Sequence, residues 1–272
     1  MQPGPPPPVT TARSERLLWI DADRIFYAGL LGVPSSRVFG AYTVYASLHG
    51  QIRICLQGDD WQCCEVAVVP PYLPHRVECD ERLIAALHVE PESVDLGQLP
   101  DFLRCGRGAV DEPTRVARIR DTYRRMRDSG GSADLSSANF DLRLWGCSLP
   151  GRVLEPRVHY VVDAIKSDPR GRFSADDCAA SVGLSSWRFL HLFKTEMGVP
   201  FRNFRSWKRA RSLLHYVTGD ASMVEVALEV GYPDASHFSH SIRQVYGLTP
   251  KDIFAGSRRL RLHGRAPGGR SS

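Results

Sequence analysis

Two stretches of this chain share one pattern, and that repetition restricts the fold more than any bulk property does. Residues 222–253 read SMVEVALEVGYPDASHFSHSIRQVYGLTPKDI. Ser222, with Glu225 three residues on, has the spacing of a helix capping box. Val226, Ala227 and Val230 then give an apolar face at helical spacing. Gly231 follows, where a positive φ is cheapest for glycine. Asp234 caps a second helix that buries Phe238, Ile242 and Val245 and turns Ser236, His237, Ser239, His240 and Arg243 outward. Gly247 and Pro250 close the unit. Residues 174–200, SADDCAASVGLSSWRFLHLFKTEMGVP, repeat it. Ser174 and Asp177 make the second box, and Gly183, Phe193 and Gly198 precede Gly231, Ile242 and Gly247 by 48, 49 and 49 residues. A short helix, a glycine turn and a second helix with a polar outer face is the helix-turn-helix pattern. One copy could be two packed helices; two copies joined by an Arg-rich helix are hard to explain that way.

The stretch GYPDASHFSHSIRQVYGLTPKDI resembles the second signature of AraC/XylS-type transcription regulators, and AASVGLSSWRFLHLFKTEMGVPFRNF resembles their first. The likeness covers residues 156–254. It implies an all-α domain in which one long helix holds two helix-turn-helix units, whose recognition helices enter successive major grooves of double-stranded DNA. Matched position by position, Ser186, Trp187, Leu190, His191 and Lys194 of the first unit face the groove, as do Ala235, Ser236, His237, Ser239, His240 and Arg243 of the second. Trp187 suits a thymine methyl, and His191 can donate to a purine acceptor or a phosphate. His237 can fix its helix start or reach phosphate, and Arg243 suits a phosphate. The family usually has a polar residue and Arg where this chain has Leu190 and His191, and Arg or another polar residue at His240. That departure points to the first unit orienting the protein more than choosing sequence. The resemblance also implies RNA polymerase as a partner, pairing with a second copy of the chain, activation more often than repression, and a cytoplasmic, nucleoid-associated location.

Charge is distributed to match. Residues 151–272 hold 19 Lys and Arg against 11 Asp and Glu, a net +8, whereas residues 1–150 hold 16 against 19, a net −3. A basic half carrying the motifs fits phosphate backbone. Much of that charge lies on the joining helix, at Arg202, Arg205, Lys208, Arg209 and Arg211. There, contacts to phosphate would position the protein without reading sequence. The excess of Arg over Lys, 31 to 4, reflects genome composition as much as chemistry. No apolar run reaches the 18 or so residues of a membrane span. Residues 1–14, Pro-rich and lacking a signal-peptide core, read as a disordered tail. Seven Cys without a metal-finger spacing read as reduced cytosolic thiols.

Residues 16–90 read as short strands at 17–20, 24–30, 38–48, 52–56, 61–69, 75–79 and 83–89, separated by Gly, Pro and Asp turns. Such spacing predicts a small barrel or jelly roll. By the family resemblance this region is a cupin-like sensor over residues 15–112. Metal-dependent cupins use an HxH pair and a Glu in a first box, with a His in a second. His75 matches the second box, but no HxH occurs between His49 and His88, so no metal or other cofactor and no enzyme activity are expected. A barrel can still hold a small-molecule effector. Tyr42, Tyr45, Trp61, His75 and His88 are the candidate wall residues, set against a plain reading as core aromatics. Two alternatives stay open: a thiol- or metal-responsive regulator using Cys55 and Cys63 across a hairpin, and a cupin enzyme with a DNA-binding appendage.

Residues 91–112 read as a loop-rich connection. A helix over 114–127 has Val116, Ile119, Tyr123 and Met126 on one narrow seam, suited either to docking on the barrel or to pairing two copies. A hinge is expected at 129–132 and a second helix at 137–145, making 113–150 a helical linker. The DNA-binding domain then spans 151–256, followed by a basic tail at 257–272.

Overall fold

The computed structural model describes residues 15–29, 32, 34–80, 83–128, 136–219, 221–257 and 260–264. The proline-rich start, the hinge at 129–132 and residues 265–272 of the tail lie outside these. In chain order come β1 (Leu17–Ile20), β2 (Arg24–Gly29), β3 (Tyr42–Ser47), β4 (Ile52–Leu56), β5 (Gln62–Cys64), β6 (Val66–Val69), β7 (His75–Cys79) and β8 (Ile84–Val89). A single turn, α1 (Asp101–Arg104), leads to β9 (Gly108–Val110), α2 (Pro113–Asp128) and α3 (Ser137–Trp145). The C-terminal half holds α4 (Pro156–Ser167), α5 (Ala175–Ser181), α6 (Ser186–Met197), α7 (Phe201–Ser212), α8 (Met223–Glu229), α9 (Ala235–Tyr246), α10 (Pro250–Ser257) and a last strand, β10 (Arg261–Gly264).

The strands form a seven-stranded sheet in the order β10-β1-β2-β8-β3-β6-β9 and a three-stranded sheet in the order β5-β4-β7. Alternation along each strand splits their side chains between two cores. Leu18, Ile25 and Tyr45 of the large sheet meet Ile52, Ile54 and Val77 of the small one inside the barrel. Trp19, Phe26 and Leu87 point the other way and are covered by α2 and α3. The seam of Val116, Ile119, Tyr123 and Met126 is buried there, so it docks on the sheet and is not left over for pairing copies. Phe140 of α3 stacks on Trp19 with centroids 4.6 Å apart. Beneath it Arg24 Nε and Nη2 donate to Asp141 Oδ1 and Oδ2 at 2.9 and 2.8 Å, a bidentate pair away from water.

Three elements differ from the sequence expectation. The run at 61–69 breaks at Glu65, whose carbonyl accepts from Ser47 N at 2.9 Å, so β5 joins the small sheet and β6 the large one. The connection at 91–112 contributes β9, which pairs with β6. The tail supplies β10, parallel to β1 from Leu17↔Arg261 to Ile20↔Gly264, where a basic tail with no sheet role was expected.

In the C-terminal half, α4, α5, α6 and the start of α7 close one core around Phe189, Phe193 and Phe204. The second unit does not close alone. Trp207 and Leu213, with Val226, Phe238 and Ile242, belong to the same apolar cluster as the barrel interior. Gly40 admits this docking: a Cβ there would stand 2.3 Å from Trp207 Cγ. Around it Lys208 Nζ lies 2.8 Å from Glu90 Oε2 and also meets Glu92, and Arg211 Nε lies 2.8 Å from Glu90 Oε1. Lys208 and Arg211, read from sequence among the basic residues suited to phosphate, are thus turned into the protein against carboxylates of the barrel.

Candidate nucleic-acid interface and interdomain cavity

Both recognition helices are built by caps and by one apolar stripe. Ser185 Oγ accepts from Arg188 N at 3.4 Å to start α6, and Gly198, at φ 72°, ends it. Phe189, Phe193 and Met197 are buried, which leaves Trp187, Leu190, His191 and Lys194 exposed. Trp187 is 74% exposed and lies parallel to His191, ring centroids 5.6 Å apart, as i and i+4 neighbours should. Ser186 is the one candidate on α6 that is already engaged, its hydroxyl bonded to the Asp176 carboxylate. Arg188 is also exposed, at the edge of this face, and was missed because helical spacing sets it beside neither stripe.

Asp234 starts α9 by accepting from Ser236 N and His237 N, each at 2.8 Å, while its other oxygen meets His237 Nδ1 at 2.8 Å. His237 therefore braces the helix start. Phe238, Ile242 and Val245 are buried. Ala235, Ser236, His237, His240 and Arg243 are exposed, and Ser239 partly so. Upstream, Ser222 and Glu225 form the full reciprocal box. Ser174 and Asp177 do not: Asp177 is one carbon shorter and takes the Ser174 hydroxyl at 2.6 Å, not the backbone N–H. The two units meet where Arg170 Nη1 donates to Glu229 Oε2 at 2.8 Å, beside Gly231.

Between the barrel and the second unit lies a cavity of 270 Å³. Barrel residues Leu18, Ile25, Tyr27, Arg37, Phe39, Tyr45 and His88 form one wall. The opposite wall comes from Leu214 and Val217 after α7, Tyr246 of α9, and Ile253 and Leu260 at α10. Of the five sequence candidates, the structure brings Tyr45 and His88 to this cavity. His75 stands behind: its Nδ1 bonds the Leu73 carbonyl at 2.8 Å, leaving Nε2 to accept from the Tyr45 hydroxyl at 2.9 Å. Burial pulls His75 down to about 4 and His88 to about 3, so both are neutral, and burial pushes Tyr45 up to about 12. Tyr42 packs on the far face of the sheet, and Trp61 sits between the Arg53 and Arg76 guanidiniums outside the barrel; neither reaches the cavity. Sequence reading missed Arg37, Tyr27 and Tyr246, since nothing local marks a residue that faces a cavity closed by a distant helix.

The Cys55–Cys63 pairing is corrected by the register. Cys63 stands opposite Arg53, two residues from Cys55, and the thiol of Cys55 donates to the Asp59 carbonyl at 3.0 Å. A diagonal spacing of about 7–8 Å exceeds what a disulfide spans. Among the described residues no three His, Cys, Asp or Glu gather as a metal site, and no helix is long and apolar enough to cross a membrane.

Residues 178–256 match the family described as Helix-turn-helix domain. The invasion protein InvF of Salmonella typhimurium (strain LT2) is 32% identical over 72 residues, 26% of this chain and 33% of InvF. The same holds for InvF of Salmonella typhi, so the match spans about a third of these curated relatives. ToxT from Vibrio cholerae O395 superposes over 88% of this chain and 100% of its own, with a TM-score of 0.59 and 11% identity. ToxT of strain SCE256, solved with an unsaturated fatty acid bound, covers 87% and 96% with a TM-score of 0.53 and 12% identity. At such identity the likeness to ToxT speaks for the fold alone. With its paired helix-turn-helix units, its sequence match and its overall shape in agreement, the chain has the ToxT fold and carries a helix-turn-helix domain at its C-terminal end.

Proposed function

We propose that this protein is a sequence-specific DNA-binding transcription regulator, acting more as activator than repressor, whose output is set by a small molecule in the interdomain cavity. The observation that carries the DNA reading is the pair of capped helices, α6 with Trp187, Arg188 and His191 exposed and α9 with Ser236, His237, His240 and Arg243 exposed, each over a buried apolar stripe. The helix α7 joins the two units and Arg170 bridges to Glu229 between them, an arrangement that would present α6 and α9 to two successive major grooves. His240 and Trp187 read base edges; Arg243 and Lys194 hold phosphate. RNA polymerase is the proposed partner on the promoter, and a second copy of the chain pairs with the first on DNA.

The effector reading rests on where the cavity lies. Tyr246 ends the second recognition helix and lines the same space as Tyr45 and His88 of the barrel. A molecule held there touches both domains and shifts the population between docked and released heads. ToxT has been solved with an unsaturated fatty acid, which supports a ligand-responsive role on this fold.

Selection of bound fragments from genomic DNA with the purified chain tests the proposal. A recovered motif of two short blocks about one helical turn apart is expected. Uniform recovery of all fragments, with and without candidate effectors, contradicts it.

A further inference from the structure

The fold divides the basic residues of α7 into two sets. Lys208 and Arg211 turn into the protein and meet Glu90 and Glu92. Arg205 and Arg209 stand one helical turn apart, and helical spacing puts them on the side turned away from the barrel, where both are half-buried. Neither forms an ion pair among the described residues. Glu229, the carboxylate at the seam between the two units, is held by Arg170 at 2.8 Å.

Each of the two arginines is braced by a ring from a different unit. The Arg205 guanidinium lies over Phe201 at 5.6 Å, and Phe201 packs edge-on against Phe189 and Phe193 in the core of the first unit. The Arg209 guanidinium lies over Tyr232 at 5.5 Å, and Tyr232 packs against Phe238 of α9 in the second. A guanidinium stacked on a ring is held in place while its in-plane N–H donors stay available to an anion. The two charges also work against each other: burial and the neighbouring Arg209 lower Arg205 from its ordinary value. Like charges one turn apart on a helix repel, and an anion shared between them turns that repulsion into a double charge-assisted grip.

The placement of α6 and α9 says which anion. Two recognition helices in successive major grooves on one face of a duplex have the minor groove between them, and the walls of that groove are the phosphate backbones. The helix α7 joins the units across this interval. Building on the DNA reading, we propose that Arg205 and Arg209 together grip one backbone phosphate in the spacer between the two sequence blocks. The grip fixes register along the duplex and carries no base preference. It also depends on the fit of the two units, since moving them apart separates Phe201 from Tyr232 and with them the two guanidiniums.

The test measures salt-dependent binding of the full chain to a mixed-sequence duplex of about 40 base pairs, for the wild type, Arg205→Gln, Arg209→Gln and the double variant. One phosphate contributes about 0.9 to the slope of log affinity against log salt, or about 3.5-fold in affinity between roughly 50 and 200 mM. Each single variant is expected to lose most of that increment, and the double variant about 0.9 in all, because the phosphate is shared. An unchanged slope in either single variant, or a double variant losing about 1.8, overturns the shared grip and leaves the DNA reading standing. Should the double variant fail to fold, the wild-type chain decides on duplexes carrying one neutral methylphosphonate, moved step by step across the spacer of the selected motif. One position is expected to lower the slope, and the absence of any such position overturns the proposal. Wild-type protein that does not bind duplex, or binds without weakening in salt, overturns the DNA reading and this one together.

Discussion

Lys208 Nζ stands 2.8 Å from Glu90 Oε2, with the lysine side chain 4% exposed and the glutamate 1%. This contact joins the helix between the two DNA-binding units to the barrel, and Trp207 Nε1 donates to the same oxygen at 2.8 Å. Burial alone would raise the Glu90 carboxyl, but Lys208 and Arg211 outweigh it and hold it below the usual range. Glu92 goes the other way: burial raises it, and Lys208 offsets only part. The cluster is therefore balanced around one ammonium.

Replacing Lys208 by Met leaves Glu90 and Glu92 buried with Arg211 alone. A buried pair broken on one side costs about 3–5 kcal/mol, and that loss is expected in urea unfolding. Adding Glu90→Gln and Glu92→Gln is expected to restore most of it. A loss below ~1 kcal/mol for Lys208→Met would show that the cluster is solvated.

Stability is expected to fall on mild acidification. Burial holds His75, His88 and His215 below the ordinary 6.5, at about 4, 3 and 4, so they stay neutral when folded and take up protons when unfolded. Their contribution is intact above pH 6.5 and lost progressively toward pH 4, by up to about 1.4 kcal/mol per pH unit for each histidine. Chemical denaturation at pH 7.5, 6.5 and 5.5 reads the slope, which His88→Gln should flatten. A flat or rising profile contradicts the burial of these rings.

Gly183 and Gly231 hold the same place in the two units, at φ +67° and +80°, but not the same surroundings. A Cβ at Gly183 meets open space, whereas at Gly231 it would stand 2.7 Å from the Arg170 carbonyl. Gly183→Ala is expected to cost about 1–2 kcal/mol from backbone conformation alone. Gly231→Ala should cost more and weaken DNA binding, because it pushes the two units apart. Equal costs and unchanged affinity would deny that this contact sets their spacing.

On DNA, His240→Ala is expected to relax base preference, and Arg243→Ala to reduce the salt slope of binding by about 1 with little change in preference. Trp187→Ala should lower affinity while shifting stability by less than ~0.5 kcal/mol, since the ring is 74% exposed. Binding isotherms at several salt concentrations, on matched and scrambled sites, check all three. Unchanged preference in His240→Ala would remove it from the reading face.

Thiol labelling of the native protein should modify Cys63, Cys105 and Cys147 first and spare Cys55 and Cys178, which are buried. Mass spectrometry after mild oxidation is expected to show no Cys55–Cys63 link. Its presence would revive a redox switch.

Much of the C-terminal half was legible because its signals are local. Ser185, Ser222, Asp234, Gly198 and Gly247 each act within one turn of where they stand, so the spacing alone located α6, α8 and α9. The strands were legible through alternation, except where a strand changes sheet, as at Glu65. What stayed hidden depends on distant partners. Lys208 on an Arg-rich helix reads as a solvent or DNA contact, and its true neighbours, Glu90 and Glu92, lie more than a hundred positions away. Arg37 is a single Arg in a loop until Tyr45 and Tyr246 close around it. The Cys55–Cys63 reading failed on a register offset of two, which a hairpin sequence does not reveal.

The apolar core of the barrel runs without a break into that of the second helix-turn-helix unit, from Trp207 and Leu213 to Val226, Phe238 and Ile242. Sensor and DNA-reading unit are thus not interchangeable cartridges. A gene fusion that cut the chain near residue 150 and grafted either part onto a foreign partner would carry half of a core across the junction. Recombination between such regulators would have to inherit both sides of this seam together, and their divergence should be correlated across it.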